Sequence, residues 1–426
     1  MVERVDFTKV KVSDTEYSSA TAIVDSVLSQ AVEQRATDIH LETEENVSLR
    51  FRINGFLYNF PSPPKEFYRA IVTRIKVLAN LDITESRIPQ SGAYKATVKG
   101  GEVNLRISTY PTIFGEAVAI RILDKRNVLL GFEQLGFQPE TLARYNKILE
   151  EPYGIVLVTG PTGGGKSTTL YSSLNKIKSA RIHIITIEDP VEYHISGLVQ
   201  AQINLKAGFN FATGLRSILR QDPDVVMVGE IRDKETASIS FQVAQTGQLV
   251  FATLHTNTAP GAATRLTDMG VEPFLVASSV IGVLSQTLVR TLCDSCKKEY
   301  LPSSEIIEEL NLHHHLPPPP SRGRIEDVSS SPPVGRIEEG GGSFFCRGRG
   351  CDQCNGTGYK GRTGLFELMI PNDDIRELIL KKAPTESIKE AARRVGMETL
   401  LEDGMKKARE GKIALPDVLR VTKKDK

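Results

Sequence analysis

The sequence predicts an α/β protein built around a parallel sheet, with a smaller α+β domain before it and a cysteine-containing helical element after it. Two patterns carry this prediction. Short apolar strand candidates alternate with helical segments across residues 127–290, and two C-x-x-C pairs flank a stretch rich in Pro, Gly and Ser. The chain has 426 residues, 40% of them hydrophobic, which is enough to build sizeable cores in about three domains.

The first predicted domain spans residues 18–126 and follows an amino-terminal extension of residues 1–17. Residues 18–35 and 65–81 carry apolar side chains at helical spacing. The strand candidates are the alternating segments 38–42, 47–53, 102–109 and 116–123. Asn54-Gly55 follows the second of them and is a hairpin turn signal. This mixture of helices and hairpins is typical of an α+β domain.

Residues 127–290 form the second predicted domain, in which strands and helices alternate. The strand candidates are 155–159, 182–187, 225–228 and 249–254. Ligands of an open parallel sheet bind outside the carboxyl ends of its strands. Each of these candidates ends in polar or acidic residues, so the chemistry is expected along that edge.

An octet after the first of these strands fits the G-x-x-x-x-G-K-[ST] pattern of a P-loop. Its glycines let backbone N–H groups turn onto an anion, Lys166 can reach the β- and γ-phosphates, and the Ser167 hydroxyl can ligate Mg²⁺. A Gly-rich turn without a ligand is the alternative, but the strand before it and the helix at 167–178 favour ATP binding. The residues expected to hold ATP are Gly160, Pro161, Thr162, Gly163, Gly164, Gly165, Lys166, Ser167 and Thr168.

Acidic residues follow two of the strand candidates, where they can act on Mg²⁺ and on a water molecule. Glu192 belongs to the first cluster, and Glu230 follows the apolar run 225–228. Gly229 stands where a Walker B strand usually has its first acid. Glu230 is a candidate to hold the metal through water and Glu192 to polarise the attacking water, although the choice of base stays open. The alternative for each acid is a helix cap or an ion pair with a nearby residue, namely Arg216, Arg220 or Arg232.

His255 ends the next strand candidate. There it can sense the γ-phosphate or orient Glu230. A buried histidine satisfied by its neighbours is the alternative, but the place of His255 on the catalytic edge favours a functional role.

The cysteines predict a structural zinc site within residues 291–370. Two C-x-x-C pairs supply four thiolates, as a closed tetrahedral site requires. The four candidate ligands are Cys293, Cys296, Cys351 and Cys354. Reduced thiols without a metal are the alternative, and the fifth cysteine, Cys346, could compete as a ligand. A metal here would close the long loop between the pairs, whose residues 311–342 are expected to be a flexible insertion. Residues 371–426 are expected to be helical.

Bulk properties narrow the functional class. The 53 basic and 52 acidic residues leave a net charge of +1, which weighs against direct nucleic-acid binding. The amino terminus has no apolar core of a signal peptide, and the apolar stretch 274–289 is too short for a good spanning helix. Five cysteines in so long a chain argue against a disulfide framework. A cytoplasmic protein is therefore expected.

Five motifs, in order, resemble the secretion ATPases of the GspE/PilB-like type, which assemble type II secretion pseudopili and type IV pili. The motifs are GPTGGGKSTT (160–169), TIEDPVEY (186–193), LRQDPDVVMVGEIRD (219–233), TGQLVFATLHTN (246–257) and CNGTGYKGRTGLFEL (354–368). The similarity runs from residue 18 to residue 420. It implies a PAS-like first domain and a RecA-like ATPase domain with a parallel sheet. Family members commonly carry a further amino-terminal domain ahead of the segment covered here.

The resemblance also implies site residues. Glu192 and Glu230 would be the catalytic acids and His255 a phosphate-linked residue. The PAS-like domain supplies arginines to the nucleotide site in this family, and Arg106 and Arg121 match those positions. A guanidinium can stabilise the charge that develops on the transferred phosphate. The alternative for each arginine is a salt bridge at a strand edge.

By the same resemblance, the protein would form a homohexameric ring with a nucleotide at each interface. It would drive an inner-membrane platform protein, together with membrane-anchored assembly proteins, from a peripheral position on the cytoplasmic side. The four-cysteine element separates assembly and secretion members from retraction motors. Two alternatives remain: an ATPase of DNA uptake or conjugative transfer, and a nucleotide-gated scaffold with little turnover.

Overall fold

The computed structural model describes residues 19–98, 101–123, 130–302 and 345–422. The predicted extension 1–17 and insertion 311–342 lie outside these residues. The described chain builds a six-stranded sheet, a seven-stranded sheet and a two-stranded ribbon. In the described parts, no helix has both the length and the apolar character that crossing a membrane requires.

The six-stranded sheet is antiparallel, in the order β3-β2-β1-β6-β5-β4. Its strands are β1 (Asp38–Thr43), β2 (Val47–Ile53), β3 (Phe56–Phe60), β4 (Gln90–Val98), β5 (Gly101–Thr112) and β6 (Gly115–Leu123). Two helices, α1 (Ala20–Glu33) and α2 (Tyr68–Leu78), pack their apolar faces into the same core. Sequence reasoning predicted both helices and four strands but missed β3 and β4. The first six residues of β4 alternate between exposed and partly buried, and Ala96 is the first buried one. The apolar pattern of β4 is therefore weak.

The seven-stranded sheet has the order β15-β12-β7-β11-β10-β8-β9 and is parallel except for β15, which runs antiparallel to β12. Its strands are β7 (Gly154–Thr159), β8 (Ile184–Glu188), β9 (Val199–Gln202), β10 (Val225–Val228), β11 (Leu249–Leu254), β12 (Val280–Leu292) and β15 (Tyr359–Met369). Every residue of β7, β8, β10 and β11 is buried, as expected for parallel strands covered on both faces. The predicted α/β architecture is confirmed.

Helices connect these strands. They are α3 (Phe132–Leu135), α4 (Pro139–Leu149), α5 (Lys166–Ile177), α6 (Phe211–Ile218), α7 (Lys234–Gln245), α8 (Ala259–Asp268) and α9 (Pro273–Ser279). The apolar stretch 274–289 divides between α9 and the start of β12. Residues 359–369, which the sequence places in the cysteine element, form the edge strand β15. The domain limits themselves stay a prediction.

The carboxyl-terminal part is helical over its described residues, as predicted. Its first two helices pack on α9 and α8, and its last two pack on β15 and β12. These helices are α10 (Asp373–Leu380), α11 (Thr385–Arg394), α12 (Leu400–Arg409) and α13 (Leu415–Thr422), and the two-stranded ribbon is formed by β13 (Lys297–Tyr300) and β14 (Phe345–Gly348). A buried ion pair fixes α12 on β15. The Lys407 amine contacts Asp403 at 2.6 Å and donates to the Gly364 carbonyl at 2.7 Å, while Asp403 accepts from the Phe366 N–H at 2.8 Å.

Candidate active site

The predicted P-loop connects the end of β7 to the start of α5. Gly160, Gly163 and Gly165 have φ values of +138°, +76° and +87°, which side-chain-bearing residues rarely adopt. The Lys166 amine folds back over the loop and donates to the carbonyls of Gly160 at 2.9 Å and Pro161 at 3.0 Å. Burial lowers the pKa of this amine, and the nearby Glu230 carboxylate opposes that shift. The loop therefore has the backbone shape of an anion cradle, with a cation beside it.

Glu230 and His255 meet at the carboxyl edge of the sheet, just after β10 and β11. The His255 Nε2 lies 3.6 Å from one Glu230 oxygen, and the Arg232 guanidinium contacts the other. Arg232 also lies 3.7 Å from Asp189. The structure thus fits both hypotheses for Glu230. It forms the ion pair with Arg232, and it also faces His255 beside the P-loop strand, as a catalytic acid would.

Gly229 has no side chain because β10 lies very close to β8 at this point. A Cβ added to Gly229 would sit 3.2 Å from both the Glu188 Cα and the Ile187 carbonyl oxygen. That separation is tighter than ordinary van der Waals contact. A side chain at position 229 would therefore press on the backbone of the neighbouring strand, and Glu230 is the carboxylate that directly follows β10 at this edge.

Glu188 organises the segment that presents Glu192, a role that sequence reasoning missed. It is buried and accepts hydrogen bonds from Thr186 Oγ1 at 2.5 Å, from Gln200 Nε2 at 3.2 Å and from the Tyr171 hydroxyl. Burial raises the pKa of Glu188 against the effect of these bonds. The Tyr171 hydroxyl, on the P-loop helix α5, also accepts from the Glu192 N–H at 3.3 Å. The P-loop helix and the acidic segment are thereby held together.

Arg106 reaches from the six-stranded sheet to Glu192. Its two terminal nitrogens lie 3.1 Å from the two carboxylate oxygens, in a bidentate pair. Arg121 is the cross-strand partner of Arg106 on β6, but its guanidinium contacts Asp38 at 3.0 Å. The structure therefore brings Arg106 to the acidic segment and places Arg121 in an ion pair within its own sheet.

The four predicted cysteine ligands converge at one end of the β12–β15 strand pair. Their sulfur atoms all lie within 4.8 Å of one another, and three pairs are separated by 3.7, 3.8 and 3.9 Å. A tetrahedral ion with bonds of about 2.3 Å would separate its sulfurs by about 3.8 Å. The cluster comprises Cys293, Cys296, Cys351 and Cys354. The donor set and the spacing thus fit zinc.

Backbone N–H groups support this cluster. Cys354 Sγ accepts hydrogen bonds from the N–H groups of Cys351 and Gly358, each at 3.2 Å. Burial raises the pKa of Cys354, but these bonds and the neighbouring thiols outweigh it and bring the pKa to about 7. Cys346 lies outside the cluster, on β14, where a Cβ on Gly411 would be 3.0 Å from its sulfur. The structure therefore does not place Cys346 among the ligands.

Comparison with known proteins relates nearly all of the chain to one family. Residues 14–420 match the family model described as Type II/IV secretion system protein. The chain is 43% identical over 402 residues to the Type II secretion system ATPase E of Vibrio cholerae, covering 94% of this chain and 75% of that protein. It is 44% identical over 406 residues to the Type IV pilus assembly ATPase PilB of Thermus thermophilus, covering 95% and 43%.

Solved structures agree on the fold. The pilus retraction motor PilT with bound ADP is similar with a TM-score of 0.59 at 26% identity, covering 93% of this chain and 96% of that one. The Legionella pneumophila ATPase DotB is similar with a TM-score of 0.69 at 18% identity, covering 98% and 100%. At that identity, the likeness to DotB bears on the fold alone.

Proposed function

Because the chain belongs to the Type II/IV secretion system protein family and is an ATPase of that family, we propose that its hydrolysis of ATP drives assembly of a type II secretion pseudopilus or a type IV pilus. One observation carries the proposal. The P-loop, Glu230 and His255 lie together at the carboxyl edge of the parallel sheet, where such sheets bind ligands.

In the proposed site, ATP lies on the nine loop residues named above, with Lys166 directed at its β- and γ-phosphates. Mg²⁺ fits the exposed hydroxyl of Ser167 and, through water, the Glu230 carboxylate, and it would neutralise phosphate charge. Glu192 accepts the proton of the attacking water, and His255 orients Glu230. Phosphoryl transfer needs such positioning and charge more than covalent chemistry.

Arg106 gives this site a second charge from the amino-terminal sheet. The Arg106 guanidinium is paired with the Glu192 carboxylate in the structure. We propose that the γ-phosphate competes for this guanidinium, which both stabilises the transferred phosphate and frees Glu192 to act as a base. Arg121 would join it once its contact with Asp38 opens. The two sheets would then move relative to each other as ATP binds and leaves.

A ring is the assembly that this mechanism suggests. The family resemblance supports a homohexamer on the cytoplasmic face of the inner membrane, in contact with a platform protein and membrane-anchored assembly proteins. The four-cysteine cluster supports an assembly or secretion role and, in our proposal, holds one zinc ion.

Replacing Glu230 with glutamine tests the proposed function. The amide keeps the shape but loses the charge, so we expect ATP to bind as in the wild type while kcat falls about 100-fold. Steady-state turnover and the Kd for ATP measure the two effects. Glu235→Gln on α7 is the matched control, because this exposed acid forms an ion pair only with exposed Arg216 among the residues that the structure describes. Very low wild-type turnover that does not change in Glu230→Gln would favour the nucleotide-gated scaffold instead.

Replacing Arg106 with alanine tests the role of the amino-terminal sheet. We expect kcat to fall about 10- to 100-fold, because one charge donor to the phosphate is lost. Arg106→Lys should recover only part of the loss, since lysine lacks the planar fork. Arg216→Ala, which removes an exposed arginine of α6, is the control. If Arg106→Ala turned over like this control, Arg106 would be reduced to a salt bridge at a strand edge.

A further inference from the structure

Gln286 of β12 lies directly beneath the P-loop. Ser285 is the register partner of Thr159, so Gln286 lies beside Gly160, where the loop begins. A Cβ on Gly160 would be only 2.0 Å from the Gln286 carbonyl oxygen, and a Cβ on Gly164 would be 3.3 Å from it. The loop is therefore packed against the backbone of this one residue.

The side chain of Gln286 also holds the loop. Its Nε2 donates to the Gly164 carbonyl at 2.7 Å. A carbonyl oxygen only accepts hydrogen bonds, so the amide nitrogen must be the atom that faces it. Gly164 is also held through its own N–H, which donates to the Pro161 carbonyl at 3.0 Å. The position of the Gly164 carbonyl is thus fixed from both ends of the residue.

This fixation orients a donor for phosphate. In a trans peptide unit, the C=O and the following N–H point in opposite directions. Because Gln286 holds the Gly164 carbonyl on one side, the Gly165 N–H is turned to the other side of the loop. No hydrogen bond among the described residues uses that N–H. It is therefore free to donate to an anion held in the cradle.

A glutamine at position 286 is less favourable for the stability of the fold than a hydrocarbon side chain would be. The residue is 2% exposed, and its Oε1 is buried without accepting a hydrogen bond from any described group. An unmet buried acceptor costs stability. Leu284 and Leu288 share its face of β12, so a hydrocarbon side chain at 286 would continue an apolar row. The amide therefore serves the loop rather than the packing of the sheet.

We propose that Gln286 is a positioning residue for nucleotide binding, which holds the Gly164–Gly165 peptide so that its N–H faces the phosphates. The proposal rests on the P-loop being the ATP site and deepens that function. The β-phosphate is common to ADP and ATP, and P-loop N–H groups surround it. Loss of the side-chain donor should therefore weaken both nucleotides alike and leave the chemical step largely intact.

The test compares Gln286→Leu and Gln286→Met with the wild-type protein. We expect the Kd for ADP and the Kd for ATP each to rise about 5- to 10-fold, as for the loss of one hydrogen bond that fixes the loop. The KM for ATP should rise in parallel, with kcat at saturation within about twofold of the wild type. The unfolding temperature without nucleotide should be unchanged or raised. Ser240→Ala, which deletes a buried hydroxyl on α7, is the control for removing a buried polar group.

Two results would overturn the proposal. One is an unchanged Kd for ADP in both variants. The other is a fall in kcat and in the nucleotide-free unfolding temperature without a change in Kd, which would give Gln286 a purely structural role. If Gln286→Leu fails to fold, Gln286→Met decides. Wild-type protein that binds no ADP would instead contradict the proposed ATP site itself, so the two failures are distinguishable.

Discussion

Lys166→Ala is expected to abolish ATP hydrolysis, lowering kcat/KM by at least about 1,000-fold. The lysine is the first residue of α5, and its amine lies over the loop, where it donates to the Gly160 carbonyl at 2.9 Å. Moving that amine from the loop carbonyls to the β- and γ-phosphates requires only a side-chain rotation. Without it, the loop keeps its N–H groups but lacks the positive charge that phosphoryl transfer needs. Secretion or pilus assembly should stop in cells that carry the variant.

This loss should occur in a folded protein. Among the described residues, the Lys166 amine donates hydrogen bonds only to carbonyls of the loop itself, so we expect the unfolding temperature to change by no more than about 2 °C. Lys176→Ala is the matched control, since Lys176 is an exposed lysine near the end of the same helix. Turnover of the purified variants and complementation of a deletion strain are the measurements. Wild-type turnover in Lys166→Ala would refute the P-loop assignment.

The sequence predicted the central strands well because each is a short apolar run that precedes a turn. β7, β10 and β11 are buried along their whole length, and local composition alone is enough to predict such strands. The sequence did not predict β12, because the apolar stretch 274–289 has no local signal for where α9 ends and the strand begins. Only pairing with β7 and β15 decides that point.

Some residues of the candidate site could likewise be predicted from the sequence, and others could not. Glu230 and His255 could be placed together, because the carboxyl ends of neighbouring parallel strands meet at one edge. The contact between Arg106 and Glu192 joins residues 86 positions apart, and only the family resemblance pointed to this arginine. No local pattern shows that Gln286 holds the P-loop, since its partner Gly164 lies on another element.

β12 also links the P-loop edge to the cysteine cluster. Beyond Gln286, this strand carries Arg290, whose guanidinium makes two bonds of 2.8 Å to Asp417 on α13. The same guanidinium lies 4.0 Å from the ring centre of Phe56, in the amino-terminal sheet, and 3.6 Å from that of Tyr359 on β15. Cys293 follows directly after the strand ends. Whatever stabilises the cluster therefore also stabilises the strand on which three parts of the protein meet.

Removing the metal is accordingly expected to have the second large effect. We expect purified protein to contain one zinc ion per chain, and Cys354→Ser to lose it. Cys354 is buried, and its sulfur accepts two backbone N–H bonds, so a serine there leaves an incomplete site and poorly matched donors. A cost of about 4–5 kcal/mol would lower the unfolding temperature by about 5 °C in a chain of this length.

The effect should be local before it is global. Hydrogen exchange in Cys354→Ser, or in wild-type protein treated with a chelator, should rise first in β13, β14 and the start of β15, because the cluster joins these strands to β12. Cys346→Ser is the control, since Cys346 lies on β14 outside the cluster, and we expect it to keep its zinc. Metal analysis that finds no zinc in wild-type protein would remove the zinc assignment. Loss of zinc from Cys346→Ser equal to that from Cys354→Ser would show that the fifth cysteine is a ligand after all.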